Sequence, residues 1–145
     1  MNHPRAAFTL LEVLVVLTIL AILLALGVPS YARWRASLTV QEAAQQFARD
    51  IDRTRTEAKR YNDTRTIAIP PEGGTSYTRS GSSILLPPGT RIALAPDFTN
   101  AAIAFFPPYG TADILAHQFE VSSTTYPSIT RTVRVTSLFG QVVIK

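Results

Sequence analysis

The chain passes through three hydrophobic rhythms. Residues 8–28 are almost continuously apolar, broken only by Thr9, Glu12, Thr18 and Gly27. A run without a polar stripe predicts a helix that is apolar all round. At ~1.5 Å per residue these 21 positions rise about 31 Å, close to the thickness of a bilayer core. After Pro29 the rhythm becomes helical and one-sided: Val40, Ala43, Ala44, Phe47, Ala48, Ile51 and Ala58 recur at three- and four-residue spacing, with charges between them. That stripe predicts the second half of the helix, packed on a folded domain through residues such as Phe47 and Ile51. Pro29 withholds a backbone donor and is expected to bend the helix. The turn formers Asn62 and Asp63 predict its end near residues 61–63.

From Thr66 onward, short apolar or alternating runs are punctuated by Pro70-Pro71, Gly73-Gly74, Pro87-Pro88-Gly89 and Pro107-Pro108. Strands are predicted at 66–69, 83–86, 91–94, 102–106, 118–121, 129–136 and 141–144. Over 129–136, Ile129, Val133 and Val135 share one face, and Thr130, Thr132, Arg134 and Thr136 share the other, as in a strand with one solvated side. Gly140 marks the turn of a terminal hairpin. A helix followed only by strands predicts an α+β fold: a long amino-terminal α-helix, its first half transmembrane, packed against an antiparallel β-sheet domain. The expected segments are 1–7, a short polar head; 8–28, the membrane-length helix; 29–63, its amphipathic continuation; and 64–145, the β-rich domain.

The apolar run is longer than the core of a removable secretory signal and continues into Tyr31 and Trp34 without a small-residue cleavage site. Those two aromatics lie where an interfacial belt would sit. Arg5 and the amino terminus are expected on the cytoplasmic side, with the remainder of the chain outside the inner face of the membrane. A plain anchor leaves Glu12 unexplained, because an acid within an apolar membrane segment is costly and wants a cation. A new amino terminus at Phe8 on a neighbouring subunit would supply one.

Charge and composition narrow the chemistry. The formal net charge is +4, there is no cysteine, and the two histidines, His3 and His117, are far apart. Disulfides, thiol catalysis and most zinc sites are thereby excluded, and no metal or cofactor is expected. Arg33, Arg35, Arg49, Arg53, Arg55, Lys59, Arg60 and Arg65 are interleaved with Glu42, Asp50, Asp52, Glu57 and Asp63. The pattern reads as a solvated helix face with pairs such as Asp52–Arg55 and Arg53–Glu57. The sharper reading, a nucleic-acid surface, calls for an unneutralised patch. No nucleophile elbow, phosphate loop or dinucleotide fingerprint occurs. Gly73-Gly74-Thr75-Ser76 lacks a following lysine and reads as a hairpin turn. Asp50 and Asp52 do not share a helix face. His117 is read as having no carboxylate or serine partner close in sequence. No catalytic constellation is expected, and the chain is not read as an enzyme.

The segment Ala7-Phe8-Thr9-Leu10-Leu11-Glu12-Val13-Leu14-Val15-Val16-Leu17 resembles the class III signal of type IV pilins and type II secretion pseudopilins. The resemblance implies a leader of residues 1–7, cut by a prepilin peptidase between Ala7 and Phe8, and N-methylation of Phe8. The family usually has glycine where Ala7 stands. Glu12 becomes the fifth mature residue, the place of the family's assembly glutamate, and Pro29 falls where the family tends to have its helix-bending proline. Arg53-Thr54-Arg55-Thr56-Glu57-Ala58, Ala104-Phe105-Phe106-Pro107-Pro108-Tyr109-Gly110-Thr111-Ala112 and the segment from Thr132 to Val143 resemble the GspH/FimT group of minor pilins and pseudopilins.

This resemblance implies a pilin-like fold and a minor subunit of a type IV pilus or a secretion pseudopilus. The implied location is the bacterial inner membrane, with the amino terminus cytoplasmic and the β-rich domain periplasmic, and the filament after assembly. The implied partners are the prepilin peptidase, other pilin or pseudopilin subunits through helix bundling, an inner-membrane assembly platform, and lipid before assembly. FimT-like members are linked to DNA uptake through basic residues near the terminal hairpin; here the candidates are Arg131, Arg134 and Lys145, and the residue after Gly140 is Gln141 instead of the commoner Arg.

Overall fold

The computed structural model describes residues 9–113 and 116–145. A single α-helix, α1, covers Leu10–Tyr61. Thr9 caps its start: the Thr9 Oγ1 accepts the backbone N–H of Glu12 at 3.2 Å. Thr9 at the cap and Glu12 three positions on have the spacing of a capping box. Asn62 closes the other end with a left-handed φ of 49°, and the N–H of Asp63 reaches the Ala58 carbonyl at 3.3 Å. These are the turn and the bond of a Schellman cap. Pro29 lies inside α1, where it has no N–H for the carbonyl of Ala25.

The chain divides into two compact units, Met1–Trp34 and Arg35–Lys145. In the first, the apolar side chains of α1 are exposed: Leu10 is 84% accessible and Leu23 62%. This stretch is long and apolar enough to cross a membrane. Tyr31 and Trp34 follow it, both exposed, their ring centroids 5.8 Å apart.

In the second unit, strands β1 (Arg65–Ala68), β2 (Ser76–Arg79), β3 (Ser82–Leu85), β4 (Thr90–Leu94), β5 (Ala102–Phe106), β6 (Thr111–Ala112), β7 (Ala116–Ser123), β8 (Thr130–Thr136) and β9 (Gln141–Ile144) follow the helix. The expected antiparallel β domain is built of two sheets: a five-stranded sheet in the order β3-β2-β1-β5-β6 and a four-stranded sheet in the order β4-β7-β8-β9. The pairings are antiparallel. The sheets are joined at two places. Gly74 exchanges two backbone bonds of 2.8 Å with Ile92, and the N–H of Ala112 reaches the Leu138 carbonyl at 2.8 Å.

Val40, Ala43, Ala44, Phe47, Ala48, Ile51 and Ala58 are all buried, as their spacing predicted. Phe47 shows why both sheets need the helix. Its ring meets Tyr77 of β2 edge-on at 5.0 Å and Phe119 of β7 edge-on at 5.2 Å. From each sheet, inward residues such as Ile67 and Ile103, and Val121 and Val133, complete one core. Fully burying a side chain of this size contributes roughly 1.5–3 kcal/mol.

Candidate functional site

The residues with the strongest sequence signal lie at the head of α1. Ala7 and Phe8, the expected cleavage junction, fall outside the described residues. Glu12 is exposed in the first turn of the helix. Its backbone N–H is held by Thr9, and a carboxylate at this position also faces the positive end of the helix dipole favourably. Among the described residues its carboxylate has no ion-pair partner. Thr18 satisfies its hydroxyl within the helix by donating to the Val15 carbonyl at 2.7 Å.

The three basic residues near the terminal hairpin do not make one patch. Arg134 pairs with Gln118 on one side and Val143 on the other, and Lys145 exchanges two 2.9 Å backbone bonds with Thr132. By the two-residue alternation of a strand, Thr132, Arg134 and Lys145 share the outer face of the sheet. Arg131 pairs with Val121 and falls on the opposite side, with buried Val133 and Val135. Its guanidinium donates to the carbonyl of Thr130 at 3.3 Å. The outer face also carries Glu120, so its charge is mixed.

Two polar constellations depart from the sequence reading. Asp50, read as part of a solvated face, is largely buried. Its Oδ1 accepts from Arg79 Nη1 at 2.9 Å, and its Oδ2 accepts the Tyr77 hydroxyl. Burial and the Asp50 carboxylate push the Tyr77 pKa well above its ordinary value of 10.0. Gln46 adds a bond from Nε2 to the Leu85 carbonyl at 3.0 Å. Together these tie α1 to β2 and β3.

His117 does have a carboxylate nearby, which corrects the reading above: its Nε2 lies 3.2 Å from Asp113 Oδ1, four residues earlier. The ring is buried and stacked on Phe119, while Asp113 remains exposed at the surface. Of the expected helix pairs, Arg53–Glu57 forms at 3.1 Å. Asp52–Arg55 does not, because Arg55 lies under two turns of the β domain. Gly74 spends its N–H and carbonyl on Ile92, which removes it as a phosphate cradle and leaves the turn reading. No group of acids and histidines that could hold a metal occurs among the described residues.

A family model described as the prokaryotic N-terminal methylation motif matches residues 2–28. Comparison with curated protein sequences finds no match. Two crystal structures of the type IV minor pilin FimU from Pseudomonas aeruginosa (strain PAO1) share the fold. The one in space group P65 has a TM-score of 0.56 at 15% identity, covering 72% of this chain and 91% of that one. The one in space group P21 has a TM-score of 0.58 at 14% identity, covering 73% and 87%. The likeness to FimU is one of fold, and the methylation motif is a separate observation on the part of the chain where a pilin carries it. Signal and fold agree: the amino-terminal segment carries the prokaryotic N-terminal methylation motif, and the chain has the fold of the type IV minor pilin FimU.

Proposed function

We propose that the protein is a minor pilin, a structural subunit of a type IV filament and not an enzyme. The observation that carries this reading is the methylation motif on a helix whose apolar side chains are exposed, ahead of a domain with the pilin fold. The precursor sits in the inner membrane through α1, with Arg5 on the cytoplasmic side. A prepilin peptidase cuts between Ala7 and Phe8, and the new Phe8 amine is methylated. The subunit then leaves the bilayer and packs its apolar helix among those of other pilins, with Pro29 as the point where the helix gives. Glu12 neutralises the Phe8 amine of an adjacent subunit and sets axial register. A lone acid in an apolar span supports this role, since a buried carboxylate needs a cation or it loses its charge.

Two measurements test it. Mass spectrometry of the mature protein should find residues 1–7 missing and one added methyl group at Phe8. Glu12→Ala should insert into the membrane as before and be strongly depleted from sheared filaments. An uncut amino terminus, or wild-type incorporation of the Glu12→Ala variant, would overturn the reading.

A further inference from the structure

Two turns from different sheets close on the same helix side chain. The β5–β6 turn is Pro107-Pro108-Tyr109-Gly110, and the β8–β9 turn is Ser137-Leu138-Phe139-Gly140. Each ends in a buried glycine, with φ of 63° at Gly110 and 62° at Gly140. A Cβ on Gly110 would lie 2.9 Å from both Arg55 Cγ and Lys59 Cε. One on Gly140 would lie 2.8 Å from the Phe105 ring and 3.5 Å from Arg55 Cδ. The bond from Ala112 to Leu138 holds the two turns side by side. With the glycines pressed inward, the residues before them are left outside: Tyr109 is 71% accessible, Phe139 62% and Leu138 47%.

Isolated exposed rings are ordinary, but here they sit together on anchored turns and above uncommitted cations. Neither Arg55 nor Lys59 has an ion pair or hydrogen bond among the described residues. Glu57, the acid between them on the helix, is held by Arg53. The Nε of Arg55 is buried without an acceptor. A polyphosphate ligand would call for a longer row of cations. Two cations at the foot of an apolar, aromatic rim fit a single carboxylate set among apolar side chains.

We propose that Tyr109, Leu138 and Phe139, over Arg55 and Lys59, dock the globular domain of a neighbouring filament subunit that presents a carboxylate within an apolar surface. The inference rests on the reading of the chain as a filament subunit. The test uses the full-length protein in its own host, in filaments sheared from cells and treated with a carbodiimide, which joins an amine directly to a touching carboxylate. Digestion and mass spectrometry should find Lys59 linked to an Asp or Glu of another pilin subunit. Lys59→Arg, which keeps the charge but removes the amine, should erase that link. Tyr109→Ser combined with Phe139→Ser should lower its yield at least roughly fivefold. If the chain is processed and present in filaments yet Lys59 links to no subunit, the docking surface is wrong and the filament role stands. An undiminished link in the double serine variant, or coupling of Lys59 to lipid or nucleic acid phosphate, overturns the docking surface as well. If the chain keeps residues 1–7 and is absent from filaments, both fail.

Discussion

Asp50 concentrates at one side chain most of what local pattern did not foretell. Both its oxygens accept bonds, from Tyr77 and Arg79, which lie 27 and 29 residues away. No spacing rule reaches that far, so an acid among charged helical neighbours reads as solvated until the strands are in place. Removing the Tyr77 hydroxyl leaves one buried carboxylate oxygen unsatisfied. At pH 7, Tyr77→Phe is expected to be about 1–2 kcal/mol less stable in urea unfolding. The pH dependence has a definite sign. The folded state holds the phenol proton to higher pH than the unfolded chain does, so the Tyr77 contribution is complete below pH 10 and is lost as pH rises above it. Above pH 10 the wild type should therefore lose stability faster than Tyr77→Phe, by up to about 1.4 kcal/mol per pH unit, and the gap between them should close. His117 is a different kind of miss, since Asp113 is only four residues away. The two lie on either side of the start of β7, where helical spacing gives no guidance.

At the scale of elements, legibility followed periodicity. The stripe on α1 named its buried hydrophobic residues because seven positions repeat it, and passed over Thr54, which is equally buried. β5 was legible as Ala102–Phe106, where buried Ile103 and Phe105 alternate with more exposed neighbours. β2 was not predicted: Ser76-Tyr77-Thr78-Arg79 has a single large apolar residue, and the strand is held by the ladders of β1 and β3 on its two sides. β6 is two residues long, too short for any period. The turn after β5 was legible as a motif, but the need for glycine there becomes plain only in space. At Gly110 an alanine would meet strain from the positive φ and a contact of 3.0 Å with the Arg55 carbonyl, which cannot swing away. Gly110→Ala is expected to cost about 1–3 kcal/mol and to lower the melting temperature seen by circular dichroism.

For the molecule as a whole, the informative fact is where the core begins. Among the described residues, every buried hydrophobic side chain lies at Val40 or later. A fragment of residues 35–145 is therefore expected to stay soluble without detergent and to unfold in a single cooperative thermal transition, whereas the full chain should need detergent. Loss of cooperativity in the fragment would show that the first 34 residues stabilise the fold. The two-sheet arrangement was the part of the architecture least readable beforehand, because it depends on Phe47 serving both sheets and on two backbone links between segments distant in sequence.

The exposed apolar flank of α1 also bears on what can drive polymerisation. On the proposed reading its side chains pass from lipid tails to the helices of other subunits, and lipid tails are as apolar as leucine. The exchange leaves the hydrophobic effect nearly neutral, since little water is expelled on either side. Direction must then come from terms that differ between the two surroundings: close packing of helix on helix, the charge on Glu12, and contacts made by the domain outside the membrane. A filament built on such small differences is one whose subunits can return to the bilayer intact, so disassembly needs no unfolding step.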